Sequence, residues 1–205
     1  MVQPPHRDSR RSALREAARA EEQRKRHRKV AIGVVAGTAA IALATTVVVL
    51  LARPQAKDAE VAAAISYPNL ARGHVSGPVT YAEIAPVGGD HALSWQNCGV
   101  YLEPIPSENA VHSLEHGAIW VTYRPDLPAD QITRLQAAVK AEPYGLLSPF
   151  PDLPAPVVAS VWGVQLKVQS ASDPQLATFI AKYADASQAP EPRGECTGGV
   201  GTPQR

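Results

Sequence analysis

A run of twenty-three uncharged and mostly apolar residues, Val30–Ala52, constrains this chain more than any other feature. A helix needs about 20 apolar residues to cross the hydrocarbon core of a bilayer. The alternative is a buried helix of a soluble core, but such helices rarely run so long without a polar face. The sequence therefore predicts a single transmembrane helix over residues 30–52.

Charge is distributed unevenly around this segment. Residues 1–29 carry ten Lys and Arg against four acids, a net +6, whereas residues 53–205 carry ten against fifteen, a net −5. Basic residues that flank a span favour the cytoplasmic side. We therefore expect a single-pass cell-membrane protein with a basic cytoplasmic tail, 1–29, and an extracytoplasmic C-terminal domain. The tail is too short and too interrupted by acids to indicate a nucleic-acid partner.

The apolar segment is expected to remain attached as a signal anchor. It is longer than the hydrophobic region of a cleaved signal peptide, which spans about 7–15 residues. Pro54 falls where a cleavage site would need a small residue, and neither cysteine lies near enough for a lipoprotein anchor. Residues 53–64 then form a stalk, residues 65–200 the extracytoplasmic domain, and residues 201–205 a flexible C-terminus.

Beyond the stalk, short apolar runs are separated by Pro and Gly. Four segments have the composition of strands: 79–86, 98–105, 118–125 and 156–170, the last with Gly163 as a bulge. Two segments have apolar residues at helical spacing: 128–143 and 172–186. This order predicts one small α+β domain, with a mixed or antiparallel sheet and two helices.

Cys98 and Cys196 are the only cysteines of the chain. In an exported domain, an even pair favours a disulfide over free thiols. By the chain-entropy model, closing so long a loop contributes roughly 4–5 kcal/mol to stability. The alternative is a metal site shared by cysteine and histidine.

Four histidines fall within forty-three positions of the predicted domain: His74, His91, His112 and His116. Within VHSLEHG, residues 111–117, His112 and His116 are four apart and would share one face of a helix. Imidazole is a common ligand of zinc and copper. His91 could supply a third nitrogen, and Glu115, Asp90 or a water could complete the shell. The sequence thus predicts a metal site made of His91, His112, His116 and Glu115, and assigns no role to His74.

Two other interpretations of the histidines remain open. They could be structural residues of an envelope scaffold whose surface binds an unknown protein partner. The H-x-x-E-H pattern is also that of inverted zinc peptidases, in which Glu115 would activate water as the base. That pattern lies inside a long helix, whereas Gly117 would end a helix here, so catalysis is not the leading expectation. We expect sensing, delivery or storage of copper or zinc, and the single Met argues against a thioether copper(I) site.

Four stretches carry a resemblance to a known family: GGDHALSWQNCGVY (88–101), VHSLEHGAIWVTYRPDLP (111–128), PFPDLPAPVVASVWG (149–163) and PEPRGEC (190–196). Over about residues 65–200 the chain resembles bacterial domain-of-unknown-function family 3105, whose exported domain contains the HSLEHG motif. The resemblance implies an amino-terminal membrane anchor, which many members carry. It also implies that His91, His112, Glu115 and His116 belong to a shared motif, and it implies no activity.

Overall fold

The structure, a computed structural model, describes residues 61–204 and, separately, Arg24. The predicted tail (apart from Arg24), the predicted span and most of the predicted stalk lie outside the described residues. No helix in the described part of the chain is long and apolar enough to cross a membrane. Residues 61–204 fall within one compact unit, Pro54–Arg205.

Eight strands and three helices follow one another along residues 61–204. They are β1 (Ile65–Ser66), β2 (His74–Val75), β3 (His91–Ala92), β4 (Gly99–Val100), α1 (Ser107–Glu115), β5 (Ile119–Tyr123), α2 (Ala129–Lys140), β6 (Gly145–Pro149), β7 (Val157–Val161), β8 (Val164–Val168) and α3 (Pro174–Tyr183). Six strands form a mixed sheet in the order β1-β8-β7-β5-β6-β4, and β2 and β3 form a separate parallel pair. The α+β class with a mixed sheet agrees with the sequence-based prediction, but these residues hold three helices rather than two.

The side chains of the central strand β5 point alternately to the two faces of the sheet, and helices pack on both faces. Ile119, Val121 and Tyr123 are buried in the larger core cluster, to which α2 and α3 also contribute. Trp120 points the other way, into a second cluster that includes Val111 and Leu114 of α1. Its indole Nε1 donates a hydrogen bond to Ser148 Oγ at 3.1 Å. The sheet is thus covered on both sides, and α1 lies on the side of the histidines.

The segment predicted as one long strand, 156–170, is a hairpin. β7 and β8 pair antiparallel, with Val161 opposite Val164. Gly163 lies in the turn at φ +73°, a conformation that side chains rarely adopt. Gly163 was predicted as a bulge within one strand, but it is part of the turn at which the chain reverses direction.

The segment predicted as the first strand, 79–86, forms no strand. Its main chain bonds to side chains instead: Glu108 accepts from the Val79 N–H, and Gln165 Nε2 donates to the Ala85 carbonyl at 2.7 Å. Ala85 also has a positive φ of 56°, which interrupts an extended run. A strand pattern cannot reveal such partners because they lie far away in the chain.

The two cysteines are paired as a disulfide, Cys98–Cys196, with Cα atoms 5.3 Å apart. The main chain beyond it continues along the domain: Val200 bridges to Gln96, and Gln204 bridges to Val100. The sequence predicted a flexible segment after residue 200, whereas Gly201 accepts a hydrogen bond from Asn97 and Gln204 donates one to Val100. At the other boundary Val61, expected in the stalk, is buried in the larger core cluster.

Candidate metal site

The C-terminal half of α1 supplies two side chains of the site. His112 and Glu115 are three residues apart and therefore lie on the same face of the helix. Two side chains fix the helix to the loop before it: Asn109 Nδ2 donates to the Ser94 carbonyl, and Ser113 Oγ donates to the Gln96 carbonyl at 2.7 Å. Gly117 ends the helical region at φ +102°, as the sequence predicted.

The parallel pair β2–β3 supplies the other two side chains. Its register places His74 opposite His91. The His91 N–H donates to the Gly73 carbonyl at 2.9 Å, and Asp90 Oδ1 accepts from the Gly73 N–H. The two imidazoles project side by side, with ring centroids 4.6 Å apart.

Four side chains from these elements form one group: His74, His91, His112 and Glu115. One potential ligand atom from each lies within 4.8 Å of the others. His91, His112 and Glu115 are buried, whereas the His74 side chain is 39% exposed. This group could hold a metal ion, with access from solvent on the side of His74.

Hydrogen bonds to the main chain orient two of the imidazoles. His91 Nδ1 lies 2.8 Å from the Gly89 carbonyl oxygen, and His112 Nδ1 lies 2.7 Å from that of Ala92. A carbonyl can only accept, so each Nδ1 carries the hydrogen. Nε2 of a neutral ring is then left with its lone pair, which is the arrangement usual for metal-binding histidines.

His91 Nε2 and Glu115 Oε2 lie 2.9 Å apart, within ion-pair distance. Within the described residues neither atom has a hydrogen-bond partner. Both atoms are acceptors when the ring is neutral, and two buried acceptors in contact are unfavourable. A cation between them would satisfy both.

The environment of His112 keeps its ring neutral. Burial, with smaller contributions from the neighbouring His116, His91 and His74, lowers the pKa of His112 to about 4. The hydrogen bond to Ala92 acts in the opposite direction but does not outweigh burial. A neutral imidazole at neutral pH is the form that ligates a metal ion.

Two tryptophans line the group. The indole of Trp162 lies edge-on to His91, with ring centroids 5.9 Å apart. Trp95 contacts His112 at 5.8 Å and His116 at 5.1 Å between ring centroids. These rings surround the imidazoles with apolar surface, which strengthens electrostatic interactions at the site.

His116, predicted as a ligand, lies beside the group but turns away from it. Its ring is 4.7 Å from that of His112, centroid to centroid. Its Nδ1 donates to the Glu195 carbonyl at 2.6 Å, and its Nε2 lies 3.6 Å from Glu191 Oε2. His116 thus connects α1 to the segment that precedes Cys196.

The structure brings together three of the four residues that the sequence proposed as ligands, His91, His112 and Glu115, and adds His74. The sequence had left His74 unassigned although it is one of the four clustered histidines. That clustering was the available signal, but the register that places His74 opposite His91 is a tertiary feature. Asp90, named as an alternative ligand, accepts a hydrogen bond from Gly73 instead.

The fold and this group define a small α+β domain with a histidine–glutamate cluster that could hold a metal ion. Residues 74–198, which include all four members of the group, match the family described as "Protein of unknown function (DUF3105)". Since the match covers more than half of the chain, the chain belongs to this family, as the HSLEHG resemblance implied. No curated protein and no solved structure matches it.

Proposed function

We propose that this domain binds one transition-metal ion, zinc or copper, through His74, His91, His112 and Glu115. The contact between His91 Nε2 and Glu115 Oε2 is the observation that carries the proposal. Both atoms are buried, 2.9 Å apart and, within the described residues, without a hydrogen-bond partner. An ion that accepts both lone pairs turns an unfavourable contact into two coordination bonds.

The ligand set selects the class of metal. Three imidazoles and one carboxylate suit zinc or copper, whereas calcium and magnesium prefer oxygen ligands throughout. The cysteines are paired with each other and supply no thiolate. Zinc–ligand bonds of about 2.0–2.1 Å place the ligand atoms of a tetrahedral site about 3.4 Å apart. The ligand atoms of the group, now within 4.8 Å of one another, would have to move closer together around the ion.

Binding fits the geometry better than hydrolysis does. A hydrolase of the H-x-x-E-H type would use Glu115 as a free base beside the metal. Here Glu115 is the only carboxylate of the metal-binding group among the described residues. It also contacts the ring of His91 directly. We therefore assign Glu115 as a ligand and propose sensing, delivery or storage of the ion.

The proposed location is the outer face of a cell membrane, with the domain attached through residues 30–52. The uncharged run and the excess of basic residues before it support this topology. The disulfide supports an oxidising compartment. Protease added to intact spheroplasts should then degrade the domain and spare the basic tail. Protection of the domain until lysis would contradict this topology.

Three matched substitutions test metal binding: His91→Asn, His112→Asn and His116→Asn. An asparagine amide nitrogen occupies nearly the position of Nδ1, so each variant can keep its hydrogen bond to a main-chain carbonyl while losing Nε2. The full-length chain would be purified in detergent without a histidine tag and loaded with zinc or, in a parallel sample, with copper. Metal content would be measured by elemental analysis and folding by circular dichroism.

We expect about one zinc per chain in the wild type and in His116→Asn, and loss of the zinc in His91→Asn and His112→Asn with the fold retained. His116→Asn also separates the two ligand sets, because the set predicted from sequence requires its Nε2. No zinc and no copper in the loaded wild-type chain would refute the proposal and favour the scaffold alternative.

A further inference from the structure

The four members of the group differ in how strongly the fold holds them. His91 is fully buried, and His112 and Glu115 are 5% and 3% exposed, whereas the His74 side chain is 39% exposed. The three buried members come from β3 and α1, which pack against each other. His74 comes from β2, a two-residue strand that, within the described part of the chain, pairs with β3 alone.

The ring of His74 also lacks the hydrogen bond that orients its neighbours. His91 and His112 each donate from Nδ1 to a main-chain carbonyl. For His74 the described residues provide ring contacts and a 3.9 Å approach of Nε2 to Glu115 Oε2, but no hydrogen bond to either ring nitrogen. Metal-binding histidines almost always have such a second partner, so its omission here distinguishes one ligand from the others.

The main chain beside His74 is, by contrast, held in place. The Gly73 carbonyl accepts from the His91 N–H, and the Gly73 N–H donates to Asp90 Oδ1, each at 2.9 Å. A Cβ on Gly73 would lie 2.7 Å from that same oxygen, so a glycine is needed for this close approach. The imidazole can therefore leave the group by rotation about its side-chain bonds without displacing the strand.

Building on the proposed function, we infer that His74 is the exchangeable ligand of the site and that the ion enters and leaves at its position. With His74 turned outward, His91, His112 and Glu115 still hold the ion and one coordination position opens to solvent. An incoming molecule that offers a nitrogen or sulfur ligand occupies this position. The ion is then passed on by ligand exchange, without oxidation or reduction. A site built in this way serves delivery better than permanent storage.

Cobalt(II) tests this inference because its visible spectrum reports the ligands around it. The full-length chain in detergent would be loaded with cobalt as wild type, His74→Ala, His91→Asn and His116→Asn. Because His74 is exposed, the alanine variant should fold, and circular dichroism checks this. We expect His74→Ala to bind one cobalt at saturation with an altered spectrum. Added imidazole should fill the vacated position and restore the wild-type spectrum. His91→Asn should bind no cobalt with or without imidazole.

Release of cobalt to a chelator gives the second measurement. Loss of an outer-shell partner alone costs about 10–100-fold in metal affinity, so loss of a direct ligand should speed release by at least about tenfold. Imidazole should slow the release from His74→Ala again, and His116→Asn should release at the wild-type rate.

Two results would overturn the inference while leaving metal binding by His91, His112 and Glu115 intact. A folded His74→Ala variant that binds no cobalt would show that His74 is as essential as His91. A variant with the wild-type spectrum and release rate would show that His74 is no ligand. If the wild-type chain binds neither cobalt nor zinc, the proposed function fails and this inference fails with it.

Discussion

His91 Nε2 and Glu115 Oε2 meet at 2.9 Å in the buried part of the cluster, and the ring hydrogen of His91 is already given to the Gly89 carbonyl. The contact therefore requires something positive between the two atoms: a metal ion, or a second proton on the ring. These two possibilities make opposite predictions for one nearly isosteric substitution.

Glu115→Gln should weaken metal binding and stabilise the metal-free domain. The glutamine amide can donate to the lone pair of His91 Nε2, which replaces the contact between two acceptors by a hydrogen bond. A buried hydrogen bond contributes about 1 kcal/mol. For a chain of this size that raises the melting temperature by roughly 2–4 °C. Calorimetry with and without chelator, together with zinc analysis, measures both effects.

A lower melting temperature of the metal-free variant would contradict this account. It would mean that the ring is an imidazolium in the metal-free protein, paired with the carboxylate, and that glutamine leaves its charge buried and unpaired. Glu191→Gln is the matched control: this carboxylate lies 3.6 Å from His116 but is 62% exposed, so neither stability nor metal content should change measurably.

Gly117→Ala should destabilise the domain more than Gly198→Ala. Both glycines have positive φ, +102° and +85°, so both substitutions carry the backbone strain of about 1–2 kcal/mol. A Cβ on Gly117 would additionally lie 2.3 Å from the Cβ of Ala186, whereas one on Gly198 meets nothing within 4 Å. Denaturant unfolding of both variants isolates the steric part. Equal losses in the free energy of unfolding would mean that the segment around Ala186 shifts to accommodate the new Cβ at little cost.

Ser113→Ala should cost about 1–3 kcal/mol in the free energy of unfolding, because the Gln96 carbonyl loses a buried donor. Thr133→Ala is the matched control. Both hydroxyls donate to the carbonyl four residues earlier, but Thr133 is exposed and has no second acceptor among residues 61–204. We expect its change to stay within about 0.5 kcal/mol. Similar values for both variants would show that the link from α1 to Gln96 contributes little.

The double substitution Cys98→Ser/Cys196→Ser should lower stability without removing the metal. The bond closes a loop with a sequence separation of 98, and the chain-entropy model assigns such a loop about 4–5 kcal/mol. The cysteines are not ligands, so zinc content measured below the melting temperature should match that of the wild type. Loss of zinc from a folded double variant would support the alternative, a metal site shared by cysteine and histidine.

The sequence located most of the candidate site because α1 carries its signal locally. His112 and Glu115 are three residues apart, so helical geometry alone places them together, and the histidine window pointed to His91. The same reasoning failed to distinguish His74 from His116. His116 is suitably spaced from His112, but its ring is turned by the Glu195 carbonyl, 79 residues away in the chain. The position of His74 depends on strand pairing across seventeen residues.

The fold, like the site, could be predicted only where the sequence signal is local. The segments predicted as 118–125 and 128–143 are β5 and α2 within a few residues, since β-branched runs and helical periodicity are local properties. β6 was missed because GLLSP is short, and its burial depends on its parallel pairing with β5. The turn between β7 and β8 and the irregular path of 79–86 depend on contacts with distant residues, which no local pattern contains.

The pairing of Gln204 with Val100 has a consequence for the behaviour of the protein at high concentration. β4 is the last strand at one end of the six-stranded sheet. An uncovered edge strand presents unpaired main-chain N–H and C=O groups, which can pair with another molecule and lead to aggregation. The Gln204 N–H donates to the Val100 carbonyl at 2.7 Å and occupies part of this edge. Removing the last few residues would uncover this edge, so we expect the shortened chain to self-associate more readily.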